Sequence, residues 1–203
     1  YIIKGGPGTG KTTIIKAVIR IFDKIGIDVA LAAPTGRAAK VFSAYAECPA
    51  YTIHKRIYRQ KSLTDDTSFS LNVNLSKHTL FIVDEASMIS NDGLSSTTFG
   101  TGRLLDDLIQ YVYSGEGCRL MLLGDTAQLP PVGEEESPAL SSSLLASYGL
   151  HVYEKTLTQV MRQLSESGIL YCATKIREEL TSATEEYSPD VTRLATSFLG
   201  DTK

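Results

Sequence analysis

Gly5-Gly6-Pro7-Gly8-Thr9-Gly10-Lys11-Thr12 is the stretch on which the reading of this chain turns. It fits the phosphate-binding pattern of a glycine, four residues, then Gly-Lys-Thr. The apolar run Tyr1-Ile2-Ile3 precedes it, and Lys11 to Phe22 follows with Ile14, Ile15, Val18, Ile19 and Phe22 at helical spacing. Strand, glycine loop and helix is the frame that such a pattern requires. The glycines let successive backbone N–H groups turn onto phosphate oxygens, and the helix N-terminus adds positive potential. Gly5, Gly6, Pro7, Gly8, Thr9 and Gly10 then form a cradle for a nucleotide. Lys11 is the mobile cation for the β and γ phosphates, Thr12 offers a hydroxyl to Mg²⁺, and Thr13 completes the contacting set.

Outward from this stretch the pattern alternates. Val29 to Ala33 reads as a buried strand stopped by Pro34, and Arg37 to Ala46 as a helix. Thr79 to Val83 is a strand, Leu104 to Tyr113 a helix and Arg119 to Leu123 another apolar strand. Near-continuous apolar strands alternating with helices predict an α/β fold, with a parallel sheet covered on both faces. One region has a different period. Phe69, Leu71, Val73 and Leu75 alternate with Ser70, Asn72 and Asn74, which predicts a half-exposed strand, one arm of a hairpin turning near Asp65-Asp66. The competing reading there is a surface loop. The tail from Ser182 is polar, then weakly helical from Val191 to Leu199.

Composition bounds the classes. The chain has 203 residues, 42% hydrophobic and 21% charged, which excludes a disordered chain, a collagen-like repeat and a disulfide miniprotein. The longest apolar runs, such as Val29-Ala30-Leu31-Ala32-Ala33, are far too short to span a membrane, and no partner membrane is expected. A net charge of -3 means that any nucleic-acid role rests on a local site and not on a global field. Cys48, Cys118 and Cys172 are odd in number and form no Cys-x-x-Cys pair, so reduced thiols in the cytoplasm are expected, and a zinc site is not. The chain opens on Tyr1 and the motif begins four residues later, which reads as a piece of a longer protein.

Two more strand ends carry chemistry. Asp84-Glu85 closes the strand that ends at Val83, and a carboxylate at the C-terminal end of a parallel strand faces the crevice where ligands bind. Asp84 suits Mg²⁺ binding and Glu85 suits the general base that activates water. Gly124-Asp125-Thr126-Ala127-Gln128-Leu129-Pro130-Pro131-Val132 follows the strand ending at Leu123. Gln128 is placed to hydrogen-bond a γ-phosphate, and the prolines stiffen the loop; a surface turn is the competing reading. His54, Lys55 and Arg56 with Tyr58, Arg59 and Lys61 mix cations and aromatics, which suits phosphate contacts with base stacking, or equally a solvated helix face. The run Glu134-Glu135-Glu136 lacks a strand-end frame.

The phosphate loop, Asp84-Glu85-Ala86-Ser87 and Gly124-Asp125-x-x-Gln128-Leu129-Pro130-Pro131 resemble motifs I, II and III of superfamily 1 helicases, in the RecD-like, 5′→3′ branch. Ala33-Pro34-Thr35-Gly36-Arg37-Ala38-Ala39 resembles that branch's motif Ia, Thr52-Ile53-His54 its Thr-x-His element, and Leu157-Thr158-Gln159-Val160-Met161-Arg162-Gln163 its motif IV. The resemblance implies a P-loop NTPase with a RecA-like parallel sheet and a small hairpin insertion. It implies ATP with Mg²⁺, held by Gly5 to Thr13 and by Asp84. Lys11, Glu85, Gln128 and Arg162 would be catalytic, with Gln128 coupling the γ-phosphate to DNA and Arg162 acting as an arginine finger. Pro34, Thr35, Gly36, Arg37, Thr52 and His54 would touch single-stranded DNA. Taken alone, Arg162 reads as a solvated arginine and His54 as a satisfied buried histidine.

In this reading residues 1–181 are helicase domain 1A, residues 58–76 hold a pin hairpin that parts the duplex, and residues 182–203 lead to a second RecA-like domain that carries motifs V and VI. The family's adenine-contacting segment would lie upstream of Gly5. The expected partners are single-stranded DNA, that second domain, and other helicase-nuclease subunits, in recombination or repair. The name exodeoxyribonuclease V alpha chain belongs to this branch, yet no nuclease-like acidic cluster is visible. Outside the family, the alternatives are a nucleotide-dependent switch or scaffold, and a small-molecule kinase. The acidic stretch after Gln128 disfavours a kinase, which would want a basic lid there.

Overall fold

The computed structural model describes residues 1–62, 65–93 and 98–159. Six strands form one sheet in the order β3-β2-β6-β7-β1-β8, and every neighbouring pair is parallel. They are β1 (Ile2–Gly5), β2 (Val29–Ala33), β3 (Ala50–Thr52), β6 (Leu80–Val83), β7 (Arg119–Gly124) and β8 (Glu154–Leu157). The helices are α1 (Lys11–Lys24), α2 (Gly36–Ala46), α3 (Ile53–Ile57), α4 (Leu104–Ser114) and α5 (Ser142–Ser147).

Side chains alternate across each strand, so one sheet makes two cores. Leu31, Leu80, Ile82, Met121 and Leu123 point to one face, where Ile15, Val18 and Phe22 of α1 and Phe42 and Ala46 of α2 cover them. Ile2, Ala32, Phe81, Val83, Leu120 and Leu122 point to the other, under Ile53 and Ile57 of α3 and Leu105, Leu108 and Val112 of α4. Burial on both faces is why β6 and β7 read as unbroken apolar runs. The edges escaped the sequence reading. β8 carries Glu154 and Lys155 and is largely exposed, and β3 is three residues long.

The remaining strands, β4 (Tyr58–Ser62) and β5 (Asp65–Leu71), pair antiparallel as a separate ribbon. The register runs from Tyr58↔Leu71 out to Ser62↔Asp65. Ser62↔Asp65 is the outermost described pair, beside the Asp65-Asp66 position near which the sequence pattern places the turn. A backbone ladder needs no apolar side chains, so it runs through polar residues that carry no period. The far end of the period-two stretch is corrected. β5 stops at Leu71, Val73 and Leu75 are exposed, and Asn74 is buried. The Asn74 amide donates to the Tyr111 and Val112 carbonyls at 3.0 and 3.2 Å, satisfying the end of α4, and its own oxygen accepts from the Ser76 N–H at 3.0 Å. A polar side chain with three partners outcompetes alternation.

Candidate nucleotide site and nucleic-acid edge

Because all six strands run the same way, their C-terminal ends share one edge. β1 ends there in the phosphate loop, β6 in Asp84-Glu85, β7 in Gly124-Asp125, β2 in Pro34-Thr35 and β3 in Thr52. The chain leaves β1 for β2, three strands away, and later returns to β8 on the opposite side, so the phosphate loop sits where the winding changes direction.

The loop is built from its own backbone. Gly10, at φ 89°, caps α1 in the left-handed region, where a side chain would be strained. Gly5 is needed for space: a Cβ there would lie 2.6 Å from Thr9 Oγ1 and 3.1 Å from Leu157 Cβ. The Thr9 hydroxyl donates to the Gly6 carbonyl at 2.8 Å, and the Lys11 ammonium donates to the Gly5 and Gly6 carbonyls. Lys11 thus reaches back over the cradle, while Thr12 and Thr13 are exposed at the start of α1.

Asp84 is half-buried. Its Oδ1 accepts from the Glu85 N–H at 2.9 Å and its Oδ2 from the Tyr45 hydroxyl. Burial, then the hydrogen bond to Asp84, then the charges of Asp84 and Glu85 push the Tyr45 hydroxyl far above its usual range, so it stays a donor. Tyr45 lies in the last turn of α2, and nothing in its local sequence marks it. Glu85 has φ 54°, one of three non-glycine residues in the left-handed region among those described, and it leads into a 3₁₀ turn, Ala86–Met88. That backbone costs about 1 kcal/mol and sits on the residue read as the base.

Ser87 links the second and third strand ends. It is fully buried, and its hydroxyl donates to Gln128 Oε1 at 2.9 Å. The Gln128 loop is shaped by Asp125, whose backbone and side-chain oxygens accept from the Gln128 and Ala127 N–H groups. Beyond the prolines, Glu134 accepts from the Asn91 N–H at 2.6 Å and the Ser90 hydroxyl at 3.0 Å. The acidic run is therefore not wholly solvated: its first member staples the loop after β7 to the segment after β6.

Thr35 and Thr52 follow adjacent strands, paired at Ala33↔Thr52, and each caps the next helix, accepting from the Ala38 and Lys55 N–H groups at 3.2 and 3.1 Å. Gly36 and Arg37 are exposed beside them. His54 is half-buried, edge-on to Phe99 at 5.0 Å and tilted against Tyr58 at 5.6 Å, and burial lowers its pKa. The mixed basic cluster is dispersed. Lys55 and Arg56 lie over the Tyr51 ring at 4.8 and 5.4 Å, Arg59 is exposed on β4, and Tyr58 is buried, so its ring offers no stacking surface. The helix that would have carried the cluster on one face ends at Ile57. Arg162, most of the motif IV stretch, the boundary at 181 and the tail lie outside the described residues.

Comparison with known proteins gives the family. The profile of the AAA domain family matches residues 1–190. The chain belongs to that family. It is 32% identical over 173 residues to the ATP-dependent RecD2 DNA helicase of Deinococcus radiodurans, covering 85% of this chain and 21% of that protein. It is 29% identical over 182 residues to the ATP-dependent DNA helicase dda of Enterobacteria phage T4, covering 86% and 37%. To the RecBCD enzyme subunit RecD of Buchnera aphidicola subsp. Schizaphis graminum it is 29% identical over 192 residues, covering 83% and 28%. Within the AAA domain family it is thus the first RecA-like domain of the RecD-like type. The Pif1 helicase of Candida albicans shares the fold, with a TM-score of 0.56 at 20% identity, over 95% of this chain and 42% of that one. This RecD-like chain spans about a fifth to just over a third of the curated relatives named here. Its family implies use of ATP. Among the described residues, no helix is long and apolar enough to cross a membrane.

Proposed function

We propose that this chain is the ATP-binding half of an ATP-dependent DNA helicase that moves 5′→3′ on single-stranded DNA in recombination or repair. The observation that carries the reading is the shared strand edge. There the phosphate loop, Asp84-Glu85 and the Gln128 loop stand on three adjacent strands, and Ser87 ties the second to the third. A hydrolytic site needs a phosphate cradle, a metal-side carboxylate and a base, and a motor also needs a group that senses the nucleotide.

Mg²⁺ fits this site. Each Asp84 oxygen accepts one hydrogen bond and keeps a lone pair, and Thr12 presents a hydroxyl on the first turn of α1. Among the described residues no three His, Cys, Asp or Glu side chains form a metal cage. That suits an ion held by one or two side chains together with substrate phosphates. Thr12 and Asp84 would hold the ion, which when bound neutralises charge between the β and γ phosphates. Lys11 swings from the Gly5 and Gly6 carbonyls onto the phosphate oxygens, which leaves those carbonyls to solvent. Glu85 takes the proton of the attacking water, and Tyr45 keeps Asp84 oriented while this happens. Gln128 reports the γ-phosphate to the strand bound along Pro34 to Arg37 and Thr52 to His54. Arg162 would complete the charge stabilisation from the segment beyond Gln159.

The β4–β5 ribbon is the pin that parts the duplex in this reading. The second RecA-like domain of the same parent is the expected partner, and helicase-nuclease subunits are further ones. The test uses the full-length protein. ATP hydrolysis is measured with and without single-stranded DNA, and unwinding is measured on duplexes tailed at the 5′ or the 3′ end. Strong stimulation with unwinding only from the 5′ tail is expected. Turnover indifferent to DNA would return the chain to the class of nucleotide switches.

A further inference from the structure

Asp107 stands in the first turn of α4 and is 1% exposed. Its carboxylate accepts three hydrogen bonds, from the Tyr58 hydroxyl at 2.6 Å, the Thr101 N–H at 3.0 Å and the Thr101 hydroxyl at 2.9 Å. Tyr58 opens β4. Thr101 closes a short strap, Thr98–Thr101, that grips β5: the Phe69 N–H donates to the Thr98 carbonyl at 2.8 Å, and the Gly100 N–H donates to the Phe69 carbonyl at 2.9 Å. The Phe69 and Phe99 rings stack at 4.6 Å and 16°. One buried carboxylate therefore holds both arms of the hairpin, β4 directly and β5 through the strap.

The fit leaves no slack. Gly100 has φ +50°, and a Cβ there would lie 2.0 Å from Asp107 Oδ2 and 2.6 Å from Tyr58 Cε1. His54, two residues after Thr52, packs on Phe99 and Tyr58 in the same cluster. The root of the hairpin and the proposed DNA edge are thus one packed unit.

We propose that Asp107 is a positioning residue for strand separation. It fixes the root of the β4–β5 hairpin so that the hairpin advances rigidly with the Thr52–His54 edge, and each ATP turnover then loads the duplex junction. This rests on the helicase reading and on the hairpin as its wedge. A two-stranded ribbon alone is marginally stable and yields under load. A buried carboxylate with three donors resists yielding, because freeing any donor leaves a buried polar group unsatisfied.

The test compares the full-length parent with Tyr58→Phe and Asp107→Asn, reading base pairs opened per ATP hydrolysed on a 5′-tailed duplex. ATPase stimulated by single-stranded DNA and the melting temperature are measured alongside. Both variants should keep DNA-stimulated turnover near the parent's while the ratio falls roughly tenfold, the order expected for one hydrogen bond to a charged group. An unchanged ratio in folded variants overturns the inference, as does turnover that falls in step with unwinding. If Asp107→Asn does not fold, Tyr58→Phe, which removes a single hydroxyl, decides alone. A parent that hydrolyses ATP but opens no duplex, from either end, overturns the helicase reading itself and the inference with it.

Discussion

The phosphate loop and the hairpin root are both tightly built, and they are built in opposite ways. In the loop, the side-chain hydrogen bonds join near neighbours: Thr9 to Gly6, Lys11 to Gly5 and Gly6. At the root, Tyr58 meets Asp107 across 49 positions, and Phe69 meets Phe99 through a strap from another part of the chain. A site made from consecutive backbone leaves a motif, because each residue's conformation is its function. A site made by packing leaves none, because Tyr58, Thr101 and Asp107 are ordinary residues until the fold brings them together.

Lys11→Ala tests the local side most severely. In the full-length protein the ammonium that compensates the triphosphate is lost, and DNA-stimulated hydrolysis should fall by on the order of 10³ with the melting temperature unchanged. Near-normal turnover in a folded variant would remove the phosphate-loop assignment. Glu85→Gln should be milder and more selective. Turnover falls by roughly 10²–10³, as for loss of a general base, while Mg-ATP binding persists. Binding lost as badly as turnover would make Glu85 a structural or metal-side residue.

Gly5→Ala asks whether the loop's shape is as exacting as its chemistry. The new methyl group would meet Thr9 Oγ1 at 2.6 Å, a buried group with little room to retreat. Overpacking of this kind costs about 1–3 kcal/mol, seen as a lower melting temperature, and nucleotide affinity should fall with it. Ser87→Ala probes a link of the non-local kind. It removes the bond to Gln128, worth about 0.5–1.5 kcal/mol. Basal hydrolysis should hold while stimulation by DNA weakens; equal loss of both would mean that Ser87 only supports the fold.

The smallest effect belongs to His54, at the hairpin root. Burial holds its pKa below 6.5. The unfolded chain therefore takes up a proton first as pH falls, so stability is full above about pH 6.5 and declines below it until the folded pKa is passed. Between about pH 7.5 and pH 5.5 the loss should be on the order of 1 kcal/mol or less, and His54→Phe should flatten that part of the melting profile. An identical slope in the variant would show that His54 is not the group responsible.

Amino-acid order alone determined the α/β class, the central strands, helices α1, α2 and α4, and the three strand ends that carry Lys11, Asp84-Glu85 and Gln128. Each rests on local rules: helical and strand periods, glycines that let backbone N–H groups turn onto phosphates, and a carboxylate at the end of an apolar run. Tertiary structure alone decided the rest. The edge strands β3 and β8 are too short or too polar to carry a period. Tyr45 on Asp84, Ser87 on Gln128 and Glu134 on Ser90 and Asn91 join segments about 40 residues apart. Asn74 and Asp107 are buried against their polarity because the backbone and side-chain groups around them supply every partner. Hydrogen-bond partners of that kind have no sequence period, since they are set by which strands lie side by side and not by which residues follow one another.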